Sequence, residues 1–248
     1  AIDPAKTGEL VGWRHAVLRA LGVGYAPGSV LDCFVHGALY FLPLYIVTMV
    51  VGLAWEVGFS IVRRLEVNEG FFVTGLLYPL ILPPDTPLWI AALGISFGVV
   101  FAKELFGGTG MNFINPALAA RAFVFFAYPA HISGDRVWTA VPHELAVDGF
   151  SGATLLSQWR QMTEPFSAQS FDFWRAFAGF EPGSMGETSA LACLIGAVIL
   201  IATGVGSWRS MAAVAIGTIG MATLFNAIGS ATNPYFAVPF WWHMVAGG

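Results

Sequence analysis

An all-α protein that crosses a membrane several times is what this sequence predicts. The chain is 56% hydrophobic and 10% charged, against roughly 25% charge in a soluble domain. Long gaps separate those charges: none falls from Cys33 to Trp55, from Thr188 to Trp208, or from Ser210 to Gly248. A helix needs ~20 apolar residues to cross a hydrocarbon core, and each of the first two gaps supplies them. The third gap holds more than one element, because Asn226, Gly229, Ser230, Asn233 and Pro234 interrupt it. None of these stretches reads as a cleavable signal peptide, which would be short, single and N-terminal.

The elements follow in order. Residues 1–30 mix Lys6, Arg14 and Arg19 with apolar positions. Trp13, Ala16, Val17, Ala20 and Leu21 recur at helical spacing, which fits an interfacial amphipathic helix or a solvated structural one. A first span is expected over 31–57, broken locally by Pro43, with Arg63 and Arg64 in the loop beyond it. Segment 71–83 is apolar but closes at Pro83-Pro84, a length that predicts a half-helix or re-entrant element. A second full span is expected over 87–106. Gly107-Gly108-Thr109-Gly110 interrupts it, and 116–128 predicts another short helix with Pro116 favourable at its first position. Short segments around one full span fit transporter-like folds, where broken helices make polar sites at membrane depth. Stretch 129–187 holds seven of the fifteen acidic residues, so it is expected to be an extramembrane loop. Its aromatic run Phe166–Phe180, with Phe171, Trp174 and Phe177, suits core, interface or a cover over a bound cofactor ring, and core or interface is the expectation. Spans over 188–206 and 210–228 follow, separated by Ser207-Trp208-Arg209. The start at Ala1 and the ending Trp241–Gly248, which reads as a helix just beginning, make a fragment of a longer polypeptide the expectation.

Cys33 and Cys193 are the only cysteines and form no CxxC, and the five histidines show no ligand spacing. Metal or cluster sites usually need about four ligands, so no metal held by this chain alone is expected. Two buried structural thiols are.

Inside the loop stands Asp148-Gly149-Phe150-Ser151-Gly152-Ala153-Thr154. It resembles the D-G-x-S-G-A-T signature at which a flavin transferase esterifies FMN, through its phosphate, to the threonine. The residue types suit that chemistry. The Thr154 hydroxyl can become a phosphoester, leaving the flavin ring unmodified. Gly149 and Gly152 give the backbone freedom to enter a modifying enzyme's cleft. Ser151 can donate to phosphate oxygens, and Asp148 can help a transferase hold a metal ion. On these residues alone a second reading is equally good: a turn opening a helix, since Ser and Thr are good N-caps.

Three more runs occur in order: Glu66-Val67-Asn68-Glu69-Gly70-Phe71-Phe72-Val73-Thr74, Ala102-Lys103-Glu104-Leu105-Phe106-Gly107-Gly108-Thr109-Gly110 and Asn112-Phe113-Ile114-Asn115-Pro116-Ala117-Leu118-Ala119. With the Thr154 motif they closely resemble the B-subunit family of the Na⁺-translocating NADH:ubiquinone reductases. The resemblance runs from roughly Gly28 to the end; residues 1–27 carry little of it, and the family's first and later helices are missing. Val141–Val147 is longer than the family pattern. The resemblance implies a urea-channel-like fold of two inverted repeats with short or re-entrant half-helices. The chain then divides into an interfacial segment 1–30, a first membrane repeat 31–128, the loop 129–187 and the start of a second repeat 188–248. Covalent FMN at Thr154, a noncovalent riboflavin, electron transfer to ubiquinone and Na⁺ export are likewise implied, in a multi-subunit complex of the bacterial inner membrane.

Residue by residue, Asp148, Gly149, Ser151, Gly152 and Ala153 complete the recognition sequence around Thr154. Gly52 and Glu56 match positions tied to quinone or inhibitor binding and to the Na⁺ response. Phe123 and Phe125 match aromatics associated with quinone reduction. The Gly107–Pro116 break, with Asn112 and Asn115, is where riboflavin is expected, its amides reading the flavin's pyrimidine edge. No catalytic side chain is expected, because the flavin supplies the redox chemistry. Plainer readings stand beside these: Glu56 marking the interface near Arg63 and Arg64, and Phe123 and Phe125 as packing. Lys103, Glu104 and Arg121 lie where charge is costly and usually faces partners or polar cavities. They can pair with one another, hold a flavin anion or line the Na⁺ route; helix-capping salt bridges are the expectation for Lys103 and Glu104.

Two alternatives remain at this level. The D-type membrane component of the Rnf ferredoxin:NAD⁺ complex shares the attachment motif and fold. Asn115-Pro116-Ala117 also spells the NPA of aquaporin-like pores, though the second copy such a pore needs is absent, since Asn233-Pro234-Tyr235 departs from it. No nucleic-acid partner is expected. The positive-inside rule puts Arg63 and Arg64 in the cytoplasm. An odd number of crossings from 71 to 128 then puts Thr154 on the periplasmic side, and the next span returns Arg209 to the cytoplasm. Lys6, Arg14 and Arg19 run against that count.

Overall fold

A computed structural model describes residues 13–24, 29–67, 69–134, 137–138, 152–162, 171–230 and 233–246. Among them there are helices and turns and no β-strand. Three helices are long and apolar enough to cross a membrane: Val30–Arg63, Leu88–Phe106 (which includes a terminal 3-10 turn) and Trp208–Ile228. The protein is an all-α, polytopic membrane protein. The chain forms two compact units, Ala1–Gly152 and Ala153–Gly248.

The first unit contains α1 (Trp13–Ala20), α2 (Val30–Arg63), α3 (Gly70–Leu80), α4 (Leu88–Ala102), α5 (Pro116–Ala127) and α6 (Pro129–Ile132). Helix α2 starts at Ser29, whose hydroxyl accepts from the Asp32 N–H, and ends at Arg64 with a left-handed φ of 57°. Its 34 residues rise about 51 Å, well beyond the ~30 Å of a hydrocarbon core. Its buried residues are Tyr40, Leu44, Thr48, Gly52 and Glu56, spaced four apart on one face. That stripe meets α3 and α4, while apolar side chains such as Ile46 and Val50 point outward.

Glycines set how closely these helices approach. A Cβ on Gly52 would collide with the Phe71 ring, with Cε2 at 2.6 Å. On α4, Gly94 and Gly98 form a small-xxx-small pair of the kind that lets membrane helices pack backbone to backbone. A Cβ on Gly94 would run into Tyr78 and Val124, and one on Gly98 into Ala120 (2.8 Å) and the Pro116 carbonyl. The indole N–H of Trp55 donates to Ser96 Oγ at 2.9 Å and ties α2 to α4. The short helices predicted before Pro83 and after Pro116 are α3 and α5, which pack against each other as well as against α2 and α4 respectively.

The second unit contains α7 (Leu155–Gln161), α8 (Phe173–Ala178), α9 (Ala190–Ala202), α10 (Trp208–Ile228), a 3-10 turn Pro234–Ala237 and α11 (Phe240–Val245). Its core gathers Leu155, Trp159, Ala176, Val238, Trp242 and Val245, with Phe171, Phe173 and Phe177 packed on it. The aromatic run is thus core at Phe171 and Phe177, whereas Trp174 is 73% exposed; residues 166–170 lie outside the described set.

Several expectations are corrected. Cys33 and Cys193 are exposed rather than buried; each sits on an outward face of an apolar helix, where sequence hydrophobicity does not separate lipid-facing from core positions. On α1 the apolar stripe faces outward, as an interfacial helix leaves it, and needs no correction. Trp13, Ala16 and Ala20 are exposed, and His15 and Leu18 are buried. The register is turned toward α2, where the Arg14 guanidinium lies 4.2 Å from the Tyr40 ring centroid. The charge-free stretch 188–206 yields only thirteen helical residues in α9, about 20 Å of rise, because Ser189 caps its start and Thr203-Gly204 turns its end.

Candidate functional site

The attachment segment is described from Gly152 onward; Asp148, Gly149 and Ser151 lie outside the described residues, as does Val141–Val147. Gly152, Ala153 and Thr154 are buried. Thr154 is the N-cap of α7: its backbone is extended (φ −64°, ψ 159°) and its Oγ1 accepts from the Ser157 N–H at 3.2 Å. Gln158 reaches back to the Ala153 carbonyl at 2.8 Å. The hydroxyl expected from the sequence to be esterified is thus also the one that opens α7. The position fits a phosphoester, whose added oxygens would face the first-turn N–H groups, where the helix dipole favours negative charge. Thr154 is 6% exposed.

In the first unit, charges near the ends of α2 and α4 pair across helices. Lys103 Nζ donates to Glu56 Oε1 at 2.7 Å, with both side chains at most 4% exposed. Arg63 Nη1 donates to Glu104 Oε2 at 3.1 Å, and Nη2 to the Glu104 carbonyl. Lys103, the C-cap residue of α4, and the adjoining Glu104 do not pair with each other: their salt bridges bind the C-terminal half of α2 to the end of α4. Sequence reasoning could not name these partners, which lie 47 and 41 positions away. Lys103 also stands 5.7 Å from the Phe71 ring centroid, the ring that Gly52 admits. Glu56 Oε2 is buried without a hydrogen-bond partner. Glu56 lines a polar cavity of about 200 Å³ together with Ser60, Arg63, Glu66, Glu104 and the Gly107–Thr109 backbone. Among the described residues, no group of three or more His, Cys, Asp or Glu is gathered to hold a metal ion.

After α4 the chain turns through Glu104–Phe106 and three glycines of positive φ, Gly107 (117°), Gly108 (91°) and Gly110 (89°). The amides in this break have local tasks. Asn112 Oδ1 accepts from the Gly110 N–H, and its Nδ2 donates to the Ile114 carbonyl. Asn115 Oδ1 caps α5 by accepting from the N–H groups of Ala117 and Leu118. In this structure the Asn-Pro-Ala triplet opens a helix.

The two matched phenylalanines separate. Phe123 stacks on Phe97 at a centroid distance of 4.4 Å, and Phe97 on Phe101 at 5.0 Å. Phe97 and Phe123 line an apolar groove of about 780 Å³ with Ile114, Leu118 and Phe126. Phe125 is outside that groove, 45% exposed, with its edge toward Phe126.

Comparison with known proteins bears on what this arrangement serves. Residues 11–248 match the model of the NQR2, RnfD, RnfE family. Over 97% of its length the chain is 56% identical to the B subunit of the Na(+)-translocating NADH-quinone reductase of Chromohalobacter salexigens, covering 57% of that protein. The corresponding protein of the same name from Azotobacter vinelandii is 56% identical over 96% of the chain and 57% of its own length. One from Neisseria meningitidis is 53% identical over 95% and 58%. The chain thus spans somewhat more than half the length of these relatives.

Proposed function

This chain belongs to the NQR2, RnfD, RnfE family, and from that premise we propose that it is part of the B subunit of a Na⁺-translocating NADH:ubiquinone reductase. The near-full-length identity to proteins of that name carries the reading. The family also includes RnfD, and the relatives' names favour the quinone reductase over the Rnf complex. In this reading Thr154 carries FMN as a phosphoester, installed by a flavin transferase that recognises Asp148 to Thr154. The flavin exchanges electrons, and the chain's residues bind, orient and shield it. The hydroxyl's place at a helix start supports attachment there.

Ubiquinone is assigned to the apolar groove. Its stacked Phe97 and Phe123 rings offer a flat apolar wall, as sites for small molecules commonly do. Gly52 and Glu56 act from the α2–α4 junction. Na⁺ is the cargo, and hard cations favour oxygen ligands; the unpartnered Glu56 Oε2 and the oxygen-rich cavity beside it support a place on the Na⁺ route. Riboflavin is assigned to the glycine break with Asn112 and Asn115, where Asn115 Nδ2 is the amide group not used in capping. The complex lies in the bacterial inner membrane beside its other subunits, with Arg63 and Arg64 cytoplasmic and Thr154 periplasmic.

The test is the mass of the Thr154 peptide from the full-length protein made with its transferase. An FMN increment is expected, with a band that fluoresces under ultraviolet light after denaturing electrophoresis. A bare peptide overturns the reading.

A further inference from the structure

Taking Thr154 as the FMN tether, we propose that the cavity walled by Leu156, Phe225, Asn233, Tyr235, Phe236 and His243 seats the isoalloxazine ring of that flavin. The cavity measures about 430 Å³, within the roughly 300–1,000 Å³ typical of small-molecule and cofactor sites. It belongs wholly to the second unit, as does Thr154. Leu156 lies two residues past the tether, and chain geometry limits that separation to about 7 Å, well within the reach of a ribityl arm.

The walls suit a flat heteroaromatic ring. Phe225 and Phe236 stand 5.1 Å apart, tilted by 40°, and aromatic faces bind other rings by offset or tilted stacking. The polar side chains are few: Asn233, Tyr235 and His243. Asn233 spends Oδ1 on the Tyr235 N–H at 3.1 Å, which leaves Nδ2 as a donor for a pyrimidine carbonyl. The His243 ring lies 6.2 Å from the Trp159 ring, centroid to centroid, beside the aromatic core.

The walls are also fixed to the helix that carries the tether. Tyr235 donates its hydroxyl to the Leu156 carbonyl at 2.5 Å, joining α7 to the 3-10 turn. Asn226 Nδ2 donates to the carbonyls of Phe236 (2.7 Å) and Val238 (3.0 Å), joining the same turn to α10. Tether and cavity therefore form one braced piece, which is what positioning a cofactor requires.

The experiment uses the full-length chain co-expressed with its transferase and purified in detergent, with the Thr154→Ala protein as the blank for noncovalent flavin. Flavin fluorescence and its quenching by iodide are read before and after denaturation, and attachment is read separately by peptide mass. In the parent protein the tethered flavin should be dim and shielded, brightening several-fold on denaturation. Asn233→Ala and Phe225→Leu should each leave the mass increment intact and raise native fluorescence and iodide quenching several-fold. Val214→Ala, on an exposed face of α10, should change neither. An intact increment with unchanged quenching in both cavity variants overturns the seat alone. A parent protein without the increment overturns the attachment and the seat together.

Discussion

Replacing Lys103 by Met removes the cation that faces Glu56 across 2.7 Å and leaves a carboxylate at most 4% exposed. At an effective dielectric of about 20, two unit charges at that separation attract by about 6 kcal/mol. Burying each ion costs several kcal/mol, so an intact pair is worth little more than well-packed apolar residues of similar volume. Breaking it is a different matter: removing one partner of a buried pair costs about 3–5 kcal/mol. The Glu56 orphan oxygen deepens the asymmetry, since Oε2 has no other donor. Lys103→Met and Glu56→Met should therefore each lower the melting temperature of the detergent-solubilised full-length protein markedly, followed by tryptophan fluorescence. The double variant should recover most of the loss. Losses that simply add in the double variant would refute the pairing.

Four further outcomes are expected. Gly52→Ala should destabilise by about 1–3 kcal/mol through overpacking, because the new Cβ meets the fully buried Phe71 ring; a melt matching the parent would contradict the α2–α3 geometry. Thr154→Ala should abolish the fluorescent band and cost about 1 kcal/mol by removing the cap, while Thr154→Ser should keep the stability; equal stability of both variants would deny the capping role. Phe123→Leu should raise the KM for quinone with less effect from Phe125→Leu, and steady-state kinetics giving the reverse order would move the quinone away from the groove. Burial beside Asp172 raises the Glu181 carboxyl above its ordinary range despite Arg175. Its contribution to stability is then present at low pH and is lost as pH rises through the raised value. Glu181→Gln should flatten that part of the melting profile, and an unchanged slope would contradict the burial.

The spans and half-helices were legible because their signals are local. Charge gaps mark α2 and α10, Pro83-Pro84 stops the chain soon after α3, and Pro116 starts α5. Faces were not legible. In α2 nearly every position is apolar, so the stripe Tyr40, Leu44, Thr48, Gly52 and Glu56 has no hydrophobic contrast against its lipid-side neighbours, and the exposure of Cys33 was missed for the same reason. The length of α9 was overestimated because absence of charge does not measure helix. In the candidate site, Thr154, Glu56 and Phe123 could be picked out as residues, but the Lys103–Glu56 and Arg63–Glu104 pairs arise only when α4 lies along α2. The Tyr235–Leu156 brace likewise depends on segments 79 positions apart.

The separation of Glu56 from its cation along the chain bears on how the protein is made. Lys103 is synthesised 47 residues later, a delay of about 2–9 s at ordinary ribosome speeds. During that interval α2 carries an acid with no countercharge, and hydrocarbon is hostile to it. The nascent helix is best kept near the headgroups, where water still reaches the carboxylate, until α4 arrives. Inserting α2 and α4 together, rather than one after the other, would spare the carboxylate that exposure.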